Sequence, residues 1–274
     1  MTQSTPPISI LLPTRGRTEQ LARSVASLVD LADKPDTIQW LFGFDTDDTE
    51  SFEYFQAHVV PMIQASGGRY TCLGFAPLGY HRLNEYVNRL AQASTGDWMV
   101  FWNDDAVMKT QGWDTVIAGH TGRFCLQAFD THKKHPYSIF PIVPRKWLEI
   151  IGHLSLHQLN DAWLSQIAWL LDIMVRIDVE VEHERYDLTG KNNDATFQQR
   201  QIFEGNPRDP RDFNHETFRK TRIVEAGRIA YYLHEQGYDL TYWENVVTGR
   251  QDPWAKMLEA DVNKQMTKLD IPRQ

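Results

Sequence analysis

The residues best placed to do chemistry are Asn103, Asp104 and Asp105, which follow directly on the apolar run Trp98-Met99-Val100-Phe101-Trp102. A run of that composition suits a strand covered on both faces, and the acids fall where such a strand leaves its sheet. Open α/β sheets bind ligands at that edge. Paired carboxylates there suit Mg²⁺ or Mn²⁺ held beside a diphosphate, because hard oxygen donors and phosphate oxygens can share one hard cation. The stretch therefore points to a metal-assisted nucleotide site. Asn-Asp-Asp is also good turn chemistry, since these side chains bond neighbouring backbone groups, so the motif gains weight only from its surroundings.

Those surroundings are a repeated strand, loop and helix. Ile8 to Leu12 reads as a strand, Pro13-Thr14-Arg15-Gly16-Arg17 as a loop, and a helix starts near Thr18 with Leu21, Val25 and Leu28 on one face. Ile38 to Phe44 is a second strand ending at Asp45-Thr46-Asp47-Asp48, followed by a helix through Phe52, Phe55 and Val59 that stops before Gly67-Gly68. Tyr70 to Phe75 is the third strand, and Leu83, Val87 and Leu90 stripe the helix that leads to the fourth. Such alternation favours a parallel sheet with right-handed crossovers.

Beyond residue 105 the pattern is mixed. Phe124 to Phe129 and Ser138 to Val143 read as short strands, Pro144 opens a helix through Trp147 and Ile151, Ala162 to Leu171 is a strongly apolar helix, and Val175 to Val181 is a further strand. After Tyr186 the chain turns polar, with Gly205-Asn206-Pro207-Arg208-Asp209-Pro210 preceding a helix from about His215 to Gln236. The composition change divides the chain into a main domain, residues 1–200, and a helical extension packed on it, residues 201–274.

With 274 residues and 42% hydrophobic content the chain can bury a large core. No apolar run reaches the roughly 20 residues that cross a bilayer, and the first residues lack the basic and apolar regions of a signal peptide, which predicts a cytoplasmic protein with no membrane insertion. Cys72 and Cys125 lie in apolar, strand-like segments and read as two buried reduced thiols, which leaves no cysteine-based metal site. A net charge of −8 gives no general attraction to nucleic acid.

Ser9 to Arg17, the acids from Asp45, the stretch Gly79-Tyr80-His81-Arg82-Leu83-Asn84 and the block from Gly96-Asp97 to Asp105 occur in an order that resembles family-2-like glycosyltransferases of the GT-A fold. The resemblance covers roughly the first 105 residues. It implies a Rossmann-like, mostly parallel α/β sheet flanked by helices, with a nucleoside diphosphate sugar as donor and Mn²⁺ or Mg²⁺ as cofactor. Nucleotide contacts fall on Pro13, Thr14, Arg15, Arg17, Asp45 and Asp47, with Arg82 near the diphosphate. Asn103-Asp104-Asp105 takes the D-x-D position, with Asn103 replacing the first acid, Asp104 touching the donor and Asp105 ligating the metal. His183, beyond the strand from Val175, is the candidate third metal ligand, and a structural histidine is the competing reading.

An inverting transfer needs a carboxylate to take the acceptor hydroxyl proton as oxocarbenium-like charge develops on the sugar. The family places that acid at the start of a helix after the central strands, which selects Asp161 in Asn160-Asp161-Ala162-Trp163-Leu164. Asp161 or Asn160 is equally a natural N-cap. Arg15 and Arg17 beside a helix N-terminus oppose its dipole and call for an anionic partner or open solvent. Asp45, Asp47 and Asp48 also read as a surface turn with an N-cap, and Arg82 as a surface partner of Glu85 or Glu19.

The acceptor is a saccharide or, as in phage-type members of this look, a hydroxymethylated DNA base. Trp102, Trp113, Tyr137, Trp147, Trp163 and Trp169 could stack on sugar rings, although their spacing favours the core. A DNA acceptor would draw on Arg200, Arg208, Arg211, Arg219, Lys220, Arg222 and Arg228, and the interleaved acids make an ordinary solvated helix face the competing reading. Asp187 and Asp194 are further candidates for donor or acceptor contact. A nucleotidyltransferase or a non-catalytic nucleotide-sugar-binding protein are the alternatives, and the first is weakened by the lack of a Gly-rich loop with a following lysine after the first strand.

Overall fold

The computed structural model describes residues 7–130, 138–184, 198 and 208–255. Its first half is β1 (Ile8–Thr14), α1 (Thr18–Asp30), β2 (Ile38–Asp45), α2 (Thr49–Tyr54), α3 (Val60–Ala65), β3 (Arg69–Phe75), α4 (Leu83–Ala93) and β4 (Trp98–Phe101). Then come β5 (Ala106–Met108), α5 (Trp113–Gly119), β6 (Cys125–Asp130), β7 (Pro141–Pro144), α6 (Arg145–Ile151), α7 (Asn160–Leu171), β8 (Met174–His183), α8 (Glu216–Glu235) and α9 (Thr241–Val247).

The strands form one eight-stranded sheet in the order β3-β2-β1-β4-β7-β6-β8-β5. β3, β2, β1 and β4 are mutually parallel, β7 runs antiparallel to β4, and β5 antiparallel to β8. The parallel half follows from the βα alternation, and the mixed half from the short connections after residue 105.

Strand alternation splits the core cleanly. Trp98, Val100 and Trp102 join Ile8, Ile10, Leu12, Trp40 and Phe42 in the layer that also takes Leu21, Val25 and Leu28 of α1. Met99 and Phe101 face the other layer with Leu11, Leu41, Leu90, Trp147, Trp163 and Ile229. A strand buried on both faces needs apolar residues at every position, which is why the run Trp98 to Trp102 shows no polar alternation. Gly96 lets the turn before β4 lie on β1, because a Cβ there would stand 2.6 Å from Ser9 Oγ and 2.7 Å from Ser9 N.

The expected single helix through Phe52, Phe55 and Val59 is instead three pieces, with a π-helical turn at Phe55–Val59 between α2 and α3. Pro61 is the physical reason, since it cannot donate to the preceding turn and its ring crowds the carbonyl four residues back. The expected strand from Ser138 forms only at Pro141–Pro144, and Pro144 sits at the N-cap of α6. β5 and α5 escaped sequence reading because three residues and seven residues carry too little periodicity. Cys125 is buried as expected, but Cys72 is only half-buried on the edge strand β3; both are free thiols. Among the described residues no helix is long and apolar enough to cross a membrane.

Candidate functional site

β1, β2 and β4 all deliver polar side chains at their C-terminal ends. Thr14, the last residue of β1, donates from Oγ1 to Asp104 Oδ2 at 2.8 Å. The chain then reverses at Gly16, whose φ of +64° suits glycine and whose N–H donates to Asp48 Oδ2 at 2.8 Å. Arg17 follows, and its Nη1 donates to Asp104 Oδ1 at 2.9 Å and to Asp105 Oδ2 at 3.1 Å. His183 Nε2 lies 3.1 Å from Asp105 Oδ1 and 3.3 Å from Asn103 Nδ2.

Two devices hold this cluster. Ser24 on α1 accepts from Trp102 Nε1 at 2.8 Å and donates to the Asn103 carbonyl at 3.2 Å, pinning the turn after β4 to the helix above it. β5 then pairs with the end of β8, Ala106 opposite His183, while Glu184 N donates to the Asp105 carbonyl at 2.9 Å. Ser24 was missed by sequence reading, where it is an ordinary small residue between Leu21 and Val25 of the apolar stripe.

Burial makes the cluster electrostatically tense. The side chains of Arg17, Asp104, Asp105 and His183 are 11%, 8%, 9% and 6% exposed. Burial pushes the Asp104 carboxyl above its usual range, with Arg17 and Thr14 opposing it. Burial acts the same way on Asp105, but the His183 hydrogen bond and the His183 and Arg17 charges outweigh it and hold Asp105 down to about 2. The same surroundings thus push the two carboxyls in opposite directions.

A second cluster lies beside the first, at the end of β2. Arg15 Nη1 donates to Asp45 Oδ2 at 2.7 Å and also pairs with Asp47, while Tyr86 on α4 donates its hydroxyl to Asp45 Oδ1. The Asp47 and Asp45 bonds raise the guanidinium pKa against a burial effect that lowers it. Tyr86 was hidden in the apolar stripe of α4, and burial lifts its pKa to about 12.

No family model matches the sequence, and no curated protein is similar to it. Solved structures are. A mannosyltransferase from Pyrobaculum calidifontis, solved with GDP-Man and Mn²⁺, aligns at 10% identity over 98% of this chain and 89% of its own, with a TM-score of 0.50. TarS 1-349 of S. aureus, solved with UDP-GlcNAc, aligns at 12% identity over 81% of this chain and 66% of its own, with a TM-score of 0.53. The fold is that of a GT-A glycosyltransferase. The chain spans 36% of another TarS structure and 59% and 62% of two further structures of TarS 1-349.

Within this GT-A fold the predicted site residues separate. Thr14, Arg17, Asn103, Asp104, Asp105 and His183 are joined in one network, with Arg15, Asp45 and Asp47 beside it and Pro13 within β1. Asp45 is buried and is no surface turn; Asp48 alone caps α2, accepting from Ser51 N. The anion that the two arginines call for is supplied inside the protein, by Asp45 and Asp47 for Arg15 and by Asp104 and Asp105 for Arg17. Arg82 pairs with Glu85 on the surface, the bland alternative for that residue.

Asp161 lies in the first turn of α7, but the N-cap is Leu159, and neither Asp161 nor Asn160 makes a side-chain cap bond. Among the described residues no hydrogen bond or ion pair links Asp161 to the Asp104–Asp105 cluster. Trp102, Trp113, Trp147 and Trp163 are fully buried in the core and cannot stack on a sugar. Trp169 is half-buried, and Tyr137 lies outside the described residues. Arg222 is withdrawn from any phosphate groove, fully buried with its guanidinium 4.1 Å from the Phe213 ring centroid and 5.0 Å from that of Trp163. Arg211 pairs with Asp209 and Lys220 with Glu216. Arg200, Asp187 and Asp194 lie outside the described residues.

Proposed function

We propose that this protein is a divalent-metal-dependent glycosyltransferase, moving a sugar with inversion from a nucleoside diphosphate sugar to a saccharide hydroxyl. The observation that carries the reading is the convergence of Thr14, Arg17, Asp104, Asp105 and His183 at the strand ends of a GT-A sheet. Residues 1–200 form the catalytic domain in this reading and residues 201–274 the extension, whose α8 packs on α7 and α6.

Asp105 and His183 fit a metal ion. Their donor atoms, hydrogen-bonded to each other at 3.1 Å, are a carboxylate oxygen and an imidazole nitrogen, both suited to Mn²⁺. Among the described residues no group of three His, Cys, Asp or Glu side chains could hold a metal ion, so in this reading the ion's remaining ligands are phosphate and water. When bound, such an ion supplies charge to the leaving diphosphate.

The protein's own residues supply the rest. Arg15 and Arg17 approach the diphosphate from the loop after β1, where the N-terminus of α1 also favours an anion. Pro13, Thr14, Asp45 and Asp47 bound the nucleotide, with Asn103 and Asp104 on the sugar side. Asp161, whose carboxylate has no hydrogen-bond or ion-pair partner among the described residues, takes the proton of the acceptor hydroxyl. Holding donor and acceptor together makes the attack effectively unimolecular.

A thermal-shift panel of UDP, GDP and their sugars, with and without Mn²⁺, tests the reading, because a ligand that binds the native state raises its melting temperature by mass action. A shift that needs both nucleotide and Mn²⁺ is expected. No shift with any nucleotide would remove the proposal, and transfer to hydroxymethylated DNA but to no saccharide would replace the acceptor.

A further inference from the structure

The acidic pair already has a cation. One nitrogen of Arg17 bonds Asp104 and Asp105 together, and the second oxygen of Asp105 faces His183, so both oxygens of the candidate metal ligand are engaged. Arg17 is only 11% exposed, and a divalent ion added beside it would sit against a fixed positive charge with little water to screen the two. Arg17 is also the N-cap residue of α1 and makes no side-chain cap bond there. Its backbone stands at the positive end of the helix dipole, where an anion is preferred.

We infer that Arg17 is the resting counter-ion of the Asp104–Asp105 pair and gives up that place when a diphosphate arrives, so that metal and nucleotide enter as a coupled pair. This rests on the nucleotide-sugar reading above. The diphosphate, drawn to the N-terminus of α1, gives the guanidinium a second anionic partner. Asp105 is then released to the metal, and the metal and the diphosphate neutralise each other. The coupling is reciprocal: whatever factor the nucleotide adds to metal affinity, the metal adds to nucleotide affinity.

The test measures free Mn²⁺ by electron paramagnetic resonance against the full-length protein, with MnCl₂ alone and with saturating GDP or UDP. Wild type is expected to bind Mn²⁺ weakly alone and about tenfold or more tightly with nucleotide, within the usual span of coupling between sites. Arg17→Gln is expected to bind Mn²⁺ alone about tenfold more tightly than wild type, with the added effect of nucleotide reduced to a few-fold. Mn²⁺ affinity in R17Q equal to or below that of wild type, in a protein that still binds nucleotide with Mn²⁺, overturns the inference and leaves the proposed function standing. Absence of Mn²⁺ binding by wild type even with nucleotide overturns both.

A measurement on the unmutated protein covers the case in which R17Q does not fold. Guanidinium ¹⁵N resonances of Arg17 should move when Mg²⁺ and nucleotide are added together and hold still with Mg²⁺ alone. Resonances unchanged in the ternary mixture overturn the exchange.

Discussion

His183 Nε2 lies 3.1 Å from Asp105 Oδ1, though 78 residues separate the two in the chain. The contact exists because β5, three residues long, pairs antiparallel with the end of β8 and sets Ala106 opposite His183. The acid turn after β4 and the last residue of β8 are therefore held at one point by backbone hydrogen bonds, independently of whether the two side chains attract each other.

Asp105→Ala is expected to abolish metal-dependent nucleotide binding in calorimetry. His183→Ala should weaken it by about 10- to 100-fold or more, since even losing a partner that only orients a ligand costs that much. Unchanged nucleotide binding in D105A would favour a non-catalytic or metal-independent binding protein.

Asp161→Asn should lower kcat by about 10²-fold or more while leaving donor affinity nearly intact, the pattern of a lost general base. α7 should survive, because neither Asp161 nor Asn160 caps it. A large loss of donor affinity would move Asp161 to the binding site.

Gly96→Ala should destabilise the fold by about 1–3 kcal/mol, the typical cost of overpacking. The added methyl would meet backbone, 2.7 Å from Ser9 N and 2.8 Å from Ile8 C, which a rotamer change cannot relieve. Urea unfolding with an unchanged m-value checks this.

Acid should weaken the seam between the segment before α7 and the C-terminal region. His157 Nε2 donates to the Arg211 carbonyl at 2.9 Å and Nδ1 accepts from Leu159 N at 3.1 Å, so the neutral ring satisfies both partners. Burial, with the Arg222 charge assisting, holds its pKa below the ordinary 6.5. A depressed histidine pKa means that the unfolded chain binds the proton more readily, so the contribution is complete above about 6.5 and is lost as pH falls from there toward the folded value. The melting temperature should therefore drop by a few degrees between pH 7.5 and 5.5, and by less in His157→Gln. Equal pH slopes in the two proteins would count against His157.

The strand ends, the paired acids and the arginine loop were legible in the sequence because each is a local pattern: apolar runs of strand length, helical stripes, and polar residues where a strand stops. Thr14, Arg17, Asp104 and Asp105 could be singled out that way. Ser24 and Tyr86 could not, since a serine and a tyrosine inside apolar helical stripes look like packing and join the polar clusters only through partners 79 and 41 residues away.

Periodicity, turn chemistry and charge determined the βα alternation and singled out the polar side chains at the strand ends, because those properties act over a few residues at a time. Tertiary structure alone decided that Asp105 meets His183, that Arg17 is spent on Asp104 and Asp105, and that Arg222 is sealed among aromatic rings. The reason is physical: sheet order and register, set by burial of both faces of the sheet, choose which distant chain ends come within a hydrogen bond of each other.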